Sequence, residues 1–220
     1  MEKEKIFSSI KDVHIKVCLN KAVESTQTNG LEEITLSAGF PGFSDAEKDV
    51  SAEFLGKRVS LPLLISPLTG GGHLSKKINK TLALAASELG IAMAVGSQKP
   101  MQEDKVGPDS YLLRKHAPNI PLLGNLGLAH ARKGREHLLR AVESIEADGI
   151  ILYVNPLQEI LQDGGDGDYT GVLKKLEKLL DGFPYPIFLK EVGFGFSDTL
   201  LAWACSQRIA GVDVAGLGGT

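Results

Sequence analysis

The sequence predicts an α/β fold of parallel strands and covering helices, of the TIM (β/α)8-barrel type but incomplete, with about six βα units and an N-terminal extension. Three observations lead there. Short runs rich in Val, Ile and Leu are apolar at consecutive positions, which suits strands buried on both faces of a parallel sheet. Amphipathic helical patterns separate these runs. Strand starts recur roughly every 25 to 37 residues, and small polar groups stand at the carboxyl ends of the runs, where a barrel of this kind assembles its site. A doubly wound open sheet has the same periodicity and stays open as an alternative, because periodicity does not report closure.

In chain order, residues 1–59 have mixed charge, many turn residues and few strong periods, and are expected to cap the barrel rather than form a domain of their own. Residues 60–220 are the partial barrel. Strands are expected at 61–66, 91–96, 121–127, 150–154, 187–192 and 212–216. After the first, Leu74, Ile78, Leu82, Ala86 and Leu89 recur at spacings of three to four, and Gly90 stands where a helix commonly ends. Leu138, Leu139, Val142 and Ile145 repeat that pattern, as do Val172, Leu173, Leu176, Leu179 and Leu180 before Gly182. Ser197 is placed to cap a further helix carrying Leu200, Leu201 and Ala204.

With 220 residues, 43% hydrophobic side chains and a net charge of -3, the chain can bury a sizeable core and has no excess charge to attract nucleic acid. Its apolar runs, "GIAMAVG" and "LPLLIS", fall far short of the roughly 20 residues that span a bilayer. The start, "MEKEK", is too charged for a secretory signal, so a cytoplasmic protein without a membrane partner is expected. Cys18 and Cys205 lack any ligand spacing and are expected as reduced thiols in packed regions.

Several loops after the strands carry groups suited to binding. "PLTGGG" at 67–72 lets backbone approach a ring or phosphate and offers the Thr69 hydroxyl, although a glycine loop is more often a tight turn. "GSQK" at 96–99 presents a hydroxyl, an amide and a cation, and "GNLG" at 124–127 ends a buried strand in an amide. "FLKEVG" at 188–193 puts Lys190 and Glu191 where a charge needs a partner, either another side chain or a bound anion. "IILYVNPLQE" at 150–159 ends an apolar strand in Asn155, Gln158 and Glu159.

Taken together these segments resemble the type 2 isopentenyl diphosphate isomerases, flavin-dependent barrel enzymes. The likeness is carried by "KDVHI" at 11–15, "LSAGFPGFSDAEKDVSAEFLGK" at 36–57, "LPLLISPLTGGG" at 61–72 and "GIAMAVGSQK" at 90–99. It continues through "NLG" at 125–127, "EADGIILYVNPLQEILQDGGDGDYTG" at 146–171, "PIFLKEVGFGFS" at 186–197 and "GVDVAGLGGT" at 211–220. "NPLQE" followed by a Gly-Asp pair and then "KEVGFG" is the specific signature. The resemblance implies interconversion of isopentenyl and dimethylallyl diphosphate, a 1,3-allylic rearrangement in isoprenoid biosynthesis. It implies reduced FMN at the reacting centre, NADPH to keep the flavin reduced, Mg2+ to neutralise the diphosphate, and assembly as a homo-oligomer.

Carried over by position, Ser66, Thr69, Gly70, Ser97, Asn125, Lys190 and Thr220 would contact the flavin, so that 60–220 is a partial FMN-binding barrel. Lys11, His14, Lys99, Asn155 and Gln158 would bind substrate, Gln158 and Lys190 would serve catalysis, and Glu159 would hold the metal.

The chain departs from the family where Ile10 replaces an arginine, Lys99 an arginine and Tyr153 a histidine. It also ends at Thr220, two βα units early, so that it reads as truncated at the C-terminus. Two other readings stand beside the isomerase: an FMN-dependent hydroxy-acid oxidoreductase, and an inactive relative that binds diphosphate or a partner subunit. His73, His116, His130 and His137 show no ligand spacing and are expected at the surface or at helix ends. Asp163, Asp166 and Asp168 lack the closing glutamate of a calcium loop.

Overall fold

The computed structural model describes residues 2–26, 28, 30–35, 49–162 and 164–216, with side chains from residue 11 onward except that of Leu31. The motif residues 36–48, the side chain of Ile10, Asp163 and the expected flavin contact Thr220 lie outside the described residues.

Helix α1 (Glu2–Asn20) opens the chain, and a hairpin follows, β1 (Ala52–Phe54) and β2 (Lys57–Val59). Its two-residue turn has positive φ at both positions, Leu55 at 53° and Gly56 at 70°, the twist that joins antiparallel strands tightly. Then come β3 (Leu64–Ile65), α2 (His73–Leu89), β4 (Ala92–Ala94), α3 (Lys99–Gln102) and β5 (Leu122–Gly127). A 3-10 segment (Leu128–Lys133) leads into α4 (Arg135–Glu143) and β6 (Gly149–Tyr153). The described chain closes with α5 (Pro156–Leu161), α6 (Val172–Leu180), β7 (Ile187–Lys190), α7 (Asp198–Ser206) and β8 (Gly211–Asp213). Strands β3 to β8 form a six-stranded parallel sheet in sequence order, each paired with its successor, so the incomplete barrel of six units is what the residues build.

Strand geometry sorts the core. Successive side chains point to opposite faces, so Met93, Val95, Leu122, Ile150, Leu152, Ile187 and Leu189 face outward into the helices. There they meet Ala83, Ala86, Leu138, Val142, Leu176 and Leu180. Leu122, Ile150 and Leu152 are fully buried, each worth roughly 1.5–3 kcal/mol of transfer free energy. The alternate set, Ala94, Leu123, Ile151 and Phe188, faces inward and is covered by Phe54 and Leu55 of the hairpin. The hairpin is tied there by Lys57, whose Nζ donates to Asp148 Oδ1 at 2.7 Å and Oδ2 at 2.8 Å. Arg114 Nη2 and the Leu122 N–H donate to the same carboxylate at 2.9 and 2.8 Å. Burial pushes the Asp148 carboxyl up, but these donors outweigh it and hold it below the ordinary range.

Three expectations are corrected. On α2 the buried stripe is Ser75, Asn79, Ala83 and Ala86, one position round from the predicted face, and Leu89 is 56% exposed; two polar side chains on the stripe hid it from a purely apolar pattern. Cys18 and Cys205 are free thiols, as expected, but exposed, because α1 and α7 turn those positions to the surface. His130 and His137 are buried rather than superficial, since they pair with one another. Among the described residues no helix is long and apolar enough to cross a membrane.

Candidate functional site

A cleft of about 850 Å³ opens at the carboxyl ends of the parallel strands, with α1 along one side. Its floor follows from the pleat. Two residues beyond the inward Leu123, Ile151 and Phe188, the same face carries Asn125, Tyr153 and Lys190, so the inner surface turns from apolar to polar at the rim. Gly96 completes the floor; a Cβ there would lie 2.3 Å from the Thr69 backbone carbon, so only glycine lets the first loop pass over β4.

The floor residues differ in what they have left to offer. Asn125 is 4% exposed, and its Oδ1 is buried without a hydrogen-bond partner. Its backbone is read by buried Gln98, whose Oε1 accepts from Asn125 N at 2.9 Å while its Nε2 donates to Ala141 O at 2.7 Å. Lys190 Nζ is 3.3 Å from Asp213 Oδ2 of the neighbouring strand. Glu191 points away and accepts from the Gly193 and Gly195 N–H groups, which fixes the loop after β7. The Tyr153 hydroxyl lies 3.3 Å from Ser97 Oγ and donates to Glu159 Oε1 at 3.1 Å; burial, then the Glu159 charge, drives its pKa upward.

The wall beyond β6 is α5. Pro156 opens the helix, and Asn155 caps it by accepting from Gln158 N at 3.3 Å, while its Nδ2 donates to Gln158 Oε1 at 2.6 Å. Glu159 accepts from Asp166 N at 2.6 Å through Oε2. Opposite, α1 supplies Lys11 and His14. Burial, opposed by Glu159 and reinforced by Lys99, lowers the Lys11 pKa; burial and then Lys11 lower that of His14. Asp12, between them, accepts from Leu74 N at 3.1 Å and pins α1 to the open amino terminus of α2.

The cleft thus brings together Lys11, His14, Thr69, Ser97, Lys99, Asn125, Asn155, Gln158, Glu159 and Lys190 from the residues picked out by sequence. Ser66 and Gly70 do not line it. Ser66 is exposed, and Gly70 packs on Tyr111, where a Cβ would meet the ring at 2.3 Å. Thr69 turns its hydroxyl to Ser75 Oγ at 2.7 Å. Lys99 is only partly directed at the cleft: its Nζ donates to Gly164 O at 2.8 Å and lies 2.9 Å from Asp166 Oδ2. Sequence reasoning set Asp166 aside as part of an incomplete calcium loop, took Gln98 only as a loop amide and did not pair His130 with His137. A signal existed for Asp166, which falls in the Gly-Asp pair after "NPLQE"; none existed for the histidines.

The sequence profile of the FMN-dependent dehydrogenase family matches residues 26–156. The chain is 42% identical over 229 aligned residues to the isopentenyl-diphosphate delta-isomerase of Thermococcus onnurineus (strain NA1), an alignment covering 100% of this chain and 61% of that protein. It is 40% identical over 210 residues to the protein of that name from Mycolicibacterium gilvum (strain PYR-GCK), covering 94% and 61%. The chain therefore spans about three fifths of the length of the relatives it matches. Among solved structures, a mutant of the active chimera of (S)-mandelate dehydrogenase aligns with a TM-score of 0.50 and 22% identity over 78% of this chain and 56% of that one, a likeness of fold alone.

Proposed function

The chain belongs to the FMN-dependent dehydrogenase family, and from that membership and its likeness to the isopentenyl-diphosphate delta-isomerases we propose that it interconverts isopentenyl and dimethylallyl diphosphate with reduced FMN. The single observation that carries the reading is the cleft: two basic side chains on α1, Lys11 and His14, face the oxygen donors of α5 across a floor of Asn125 and Lys190.

The floor fits a flavin. Asn125 Oδ1 is a buried acceptor with no partner of its own, a cost of about 1–3 kcal/mol that a donor on a bound ring would relieve. Asn125, Lys190 and Ser97 would hold the ring, with Lys190, oriented by Asp213, beside its anionic edge. Reduced FMN, when bound, supplies the group that exchanges a proton with the allylic carbons, and NADPH serves only to keep it reduced because the rearrangement has no net redox change.

The remaining work falls to the chain. Lys11 and His14 bind the diphosphate, whose charge favours the protonated form of Lys11 and so opposes the effect of burial. Asn155 and Gln158 orient the substrate at the start of α5. Glu159 fits Mg2+: its carboxylate is held by two neutral donors, Tyr153 and Asp166 N–H, and each oxygen keeps a lone pair for a hard cation that takes one or two carboxylates plus phosphate oxygens. The need for a charged diphosphate and a charged reductant, neither of which crosses a bilayer unaided, supports a cytoplasmic reaction.

The test is conversion of isopentenyl diphosphate by the purified chain with FMN, NADPH and Mg2+, followed by product chromatography. Dimethylallyl diphosphate, with no net NADPH consumed per turnover, is expected. Bound flavin that oxidises 2-hydroxy acids and leaves isopentenyl diphosphate unchanged would overturn the reading.

A further inference from the structure

The segment after α5, residues 164–168, is "GGDGD", with no side chain that could bury itself and three glycines to loosen it. Composition alone predicts a mobile loop. Instead it is fastened at several points. Lys99 Nζ donates to Gly164 O at 2.8 Å, Asp166 N donates to Glu159 Oε2 at 2.6 Å, and Arg132 donates to Asp168 O at 2.7 Å and pairs with the Asp168 carboxylate. At Gly165 a Cβ would stand 1.9 Å from Glu159 O, so the loop backbone lies directly on α5.

Asp166 is the centre of this arrangement. Its Oδ2 is 2.9 Å from Lys99 Nζ and 3.0 Å from His130 Nε2. Neither contact has hydrogen-bond geometry, yet both atoms are buried; His130 Nε2 has no other partner, while Asp166 Oδ2 also carries the ion pair with Lys99. Behind His130 lies His137, stacked with ring centroids 5.0 Å apart and 12° between planes, its Nε2 2.8 Å from His130 Nδ1. Buried beside Lys133 and each other, both rings are kept neutral, and one tautomeric order then serves the contacts: His137 Nε2–H toward His130 Nδ1, and His130 Nε2–H toward the Asp166 carboxylate. Lys99 has three donors: one goes to Gly164, one faces Asp166, and Glu159 lies 3.8 Å away.

We propose that Asp166, backed by the His130–His137 pair, is a positioning residue that commits Lys99 to the loop instead of to the diphosphate and fixes Glu159 for the divalent cation. The inference rests on the isomerase reading for the identity of the ligand, though not for the lock itself. Lys99 thereby becomes a strut, and the diphosphate is left to Lys11, His14 and the metal.

The test uses the full chain and inorganic diphosphate with Mg2+ as the probe, by titration calorimetry, together with amide hydrogen exchange of residues 164–168. Asp166→Asn retains the shape and the backbone N–H yet removes the charge; it should weaken Mg2+-dependent diphosphate binding roughly 10- to 100-fold, the usual effect of losing a group that orients a metal ligand. Lys99→Met should cost a similar factor, and the double variant no more than either, because both act through one lock. His130→Leu should match Asp166→Asn, while His130→Gln, whose amide can still donate to the carboxylate, should recover most of the binding. Additive losses from Lys99→Met and Asp166→Asn would mean that Lys99 grips the diphosphate itself and would overturn the proposal, as would unchanged binding in Asp166→Asn. Should the unaltered chain fail to bind Mg2+-diphosphate, the isomerase reading fails, and exchange decides the lock: faster exchange at 164–168 in Asp166→Asn and His130→Leu but not in His130→Gln sustains it, and unchanged exchange sinks it.

Discussion

Acidification should destabilise the fold through His130. The imidazole is 1% exposed, and burial, with Lys133 next, pushes its pKa from 6.5 down to about 4 against the opposing pull of Asp166. In the unfolded chain the same group returns to its ordinary value. A histidine depressed on folding binds more protons when unfolded, so its contribution is intact above about pH 6.5 and is lost as pH falls toward its folded pKa. Between about pH 7 and about pH 5 the two protonation equilibria differ by about 2 kcal/mol, the loss in stability expected over that interval. With a urea slope near 2 kcal/mol per molar, roughly what a chain of this size shows, the unfolding midpoint should fall by about 1 M. Urea titrations monitored by Trp203 fluorescence at both pH values, on the parent and on His130→Gln, isolate the term, since carboxylates remote from His130 contribute equally to both. Equal losses in the two proteins would refute the argument and place the protons elsewhere. Only the parent should show the full loss.

Two further outcomes follow from packing. Gly70→Ala would drive a methyl to 2.3 Å from Tyr111 Cε1, and Tyr111 cannot retreat because its hydroxyl donates to Ser97 O at 2.8 Å inside the core. A loss of about 1–3 kcal/mol in thermal or urea unfolding is expected, and an unchanged midpoint would contradict the described packing. Asn125→Leu removes a buried acceptor that has no partner in the protein and should stabilise the flavin-free chain by about 1 kcal/mol, while retained FMN, read from visible absorbance after desalting, falls sharply. Undiminished flavin retention would show that Asn125 is not a flavin ligand.

Those buried strands were legible because each is a compact apolar run, and the alternation that sets Leu123 against Asn125 and Phe188 against Lys190 follows from the pleat alone. The Ser197 cap and the Gly90 terminus were equally local signals, and both are present. What could not be read depends on distance along the chain. The hairpin strands are three residues long, too short for alternation to register, and the role of Lys57 is set by Asp148, 91 positions away. His130 and His137 stand seven apart on two different elements, a spacing that means nothing until Gly134 turns the chain between them. The resemblance made Lys99 a substrate ligand; its contacts with Gly164 and Asp166 could not be read beside that, because they exist only once α5 has brought the loop round.

Asn155 holds the first turn of α5 by both ends of its amide, in a helix of six residues, none of them buried, whose other fastenings are the contacts of Glu159. A ligand that takes the Asn155 N–H or lone pair now engaged with Gln158 competes with the cap in the same act. Occupancy of the cleft and order in the helix are therefore linked equilibria, and by reciprocity whatever stiffens α5 should alter ligand affinity to the same degree. An alanine at this position would report the sum of a lost contact and a frayed helix. Serine or aspartate, which can still cap, would report the contact alone.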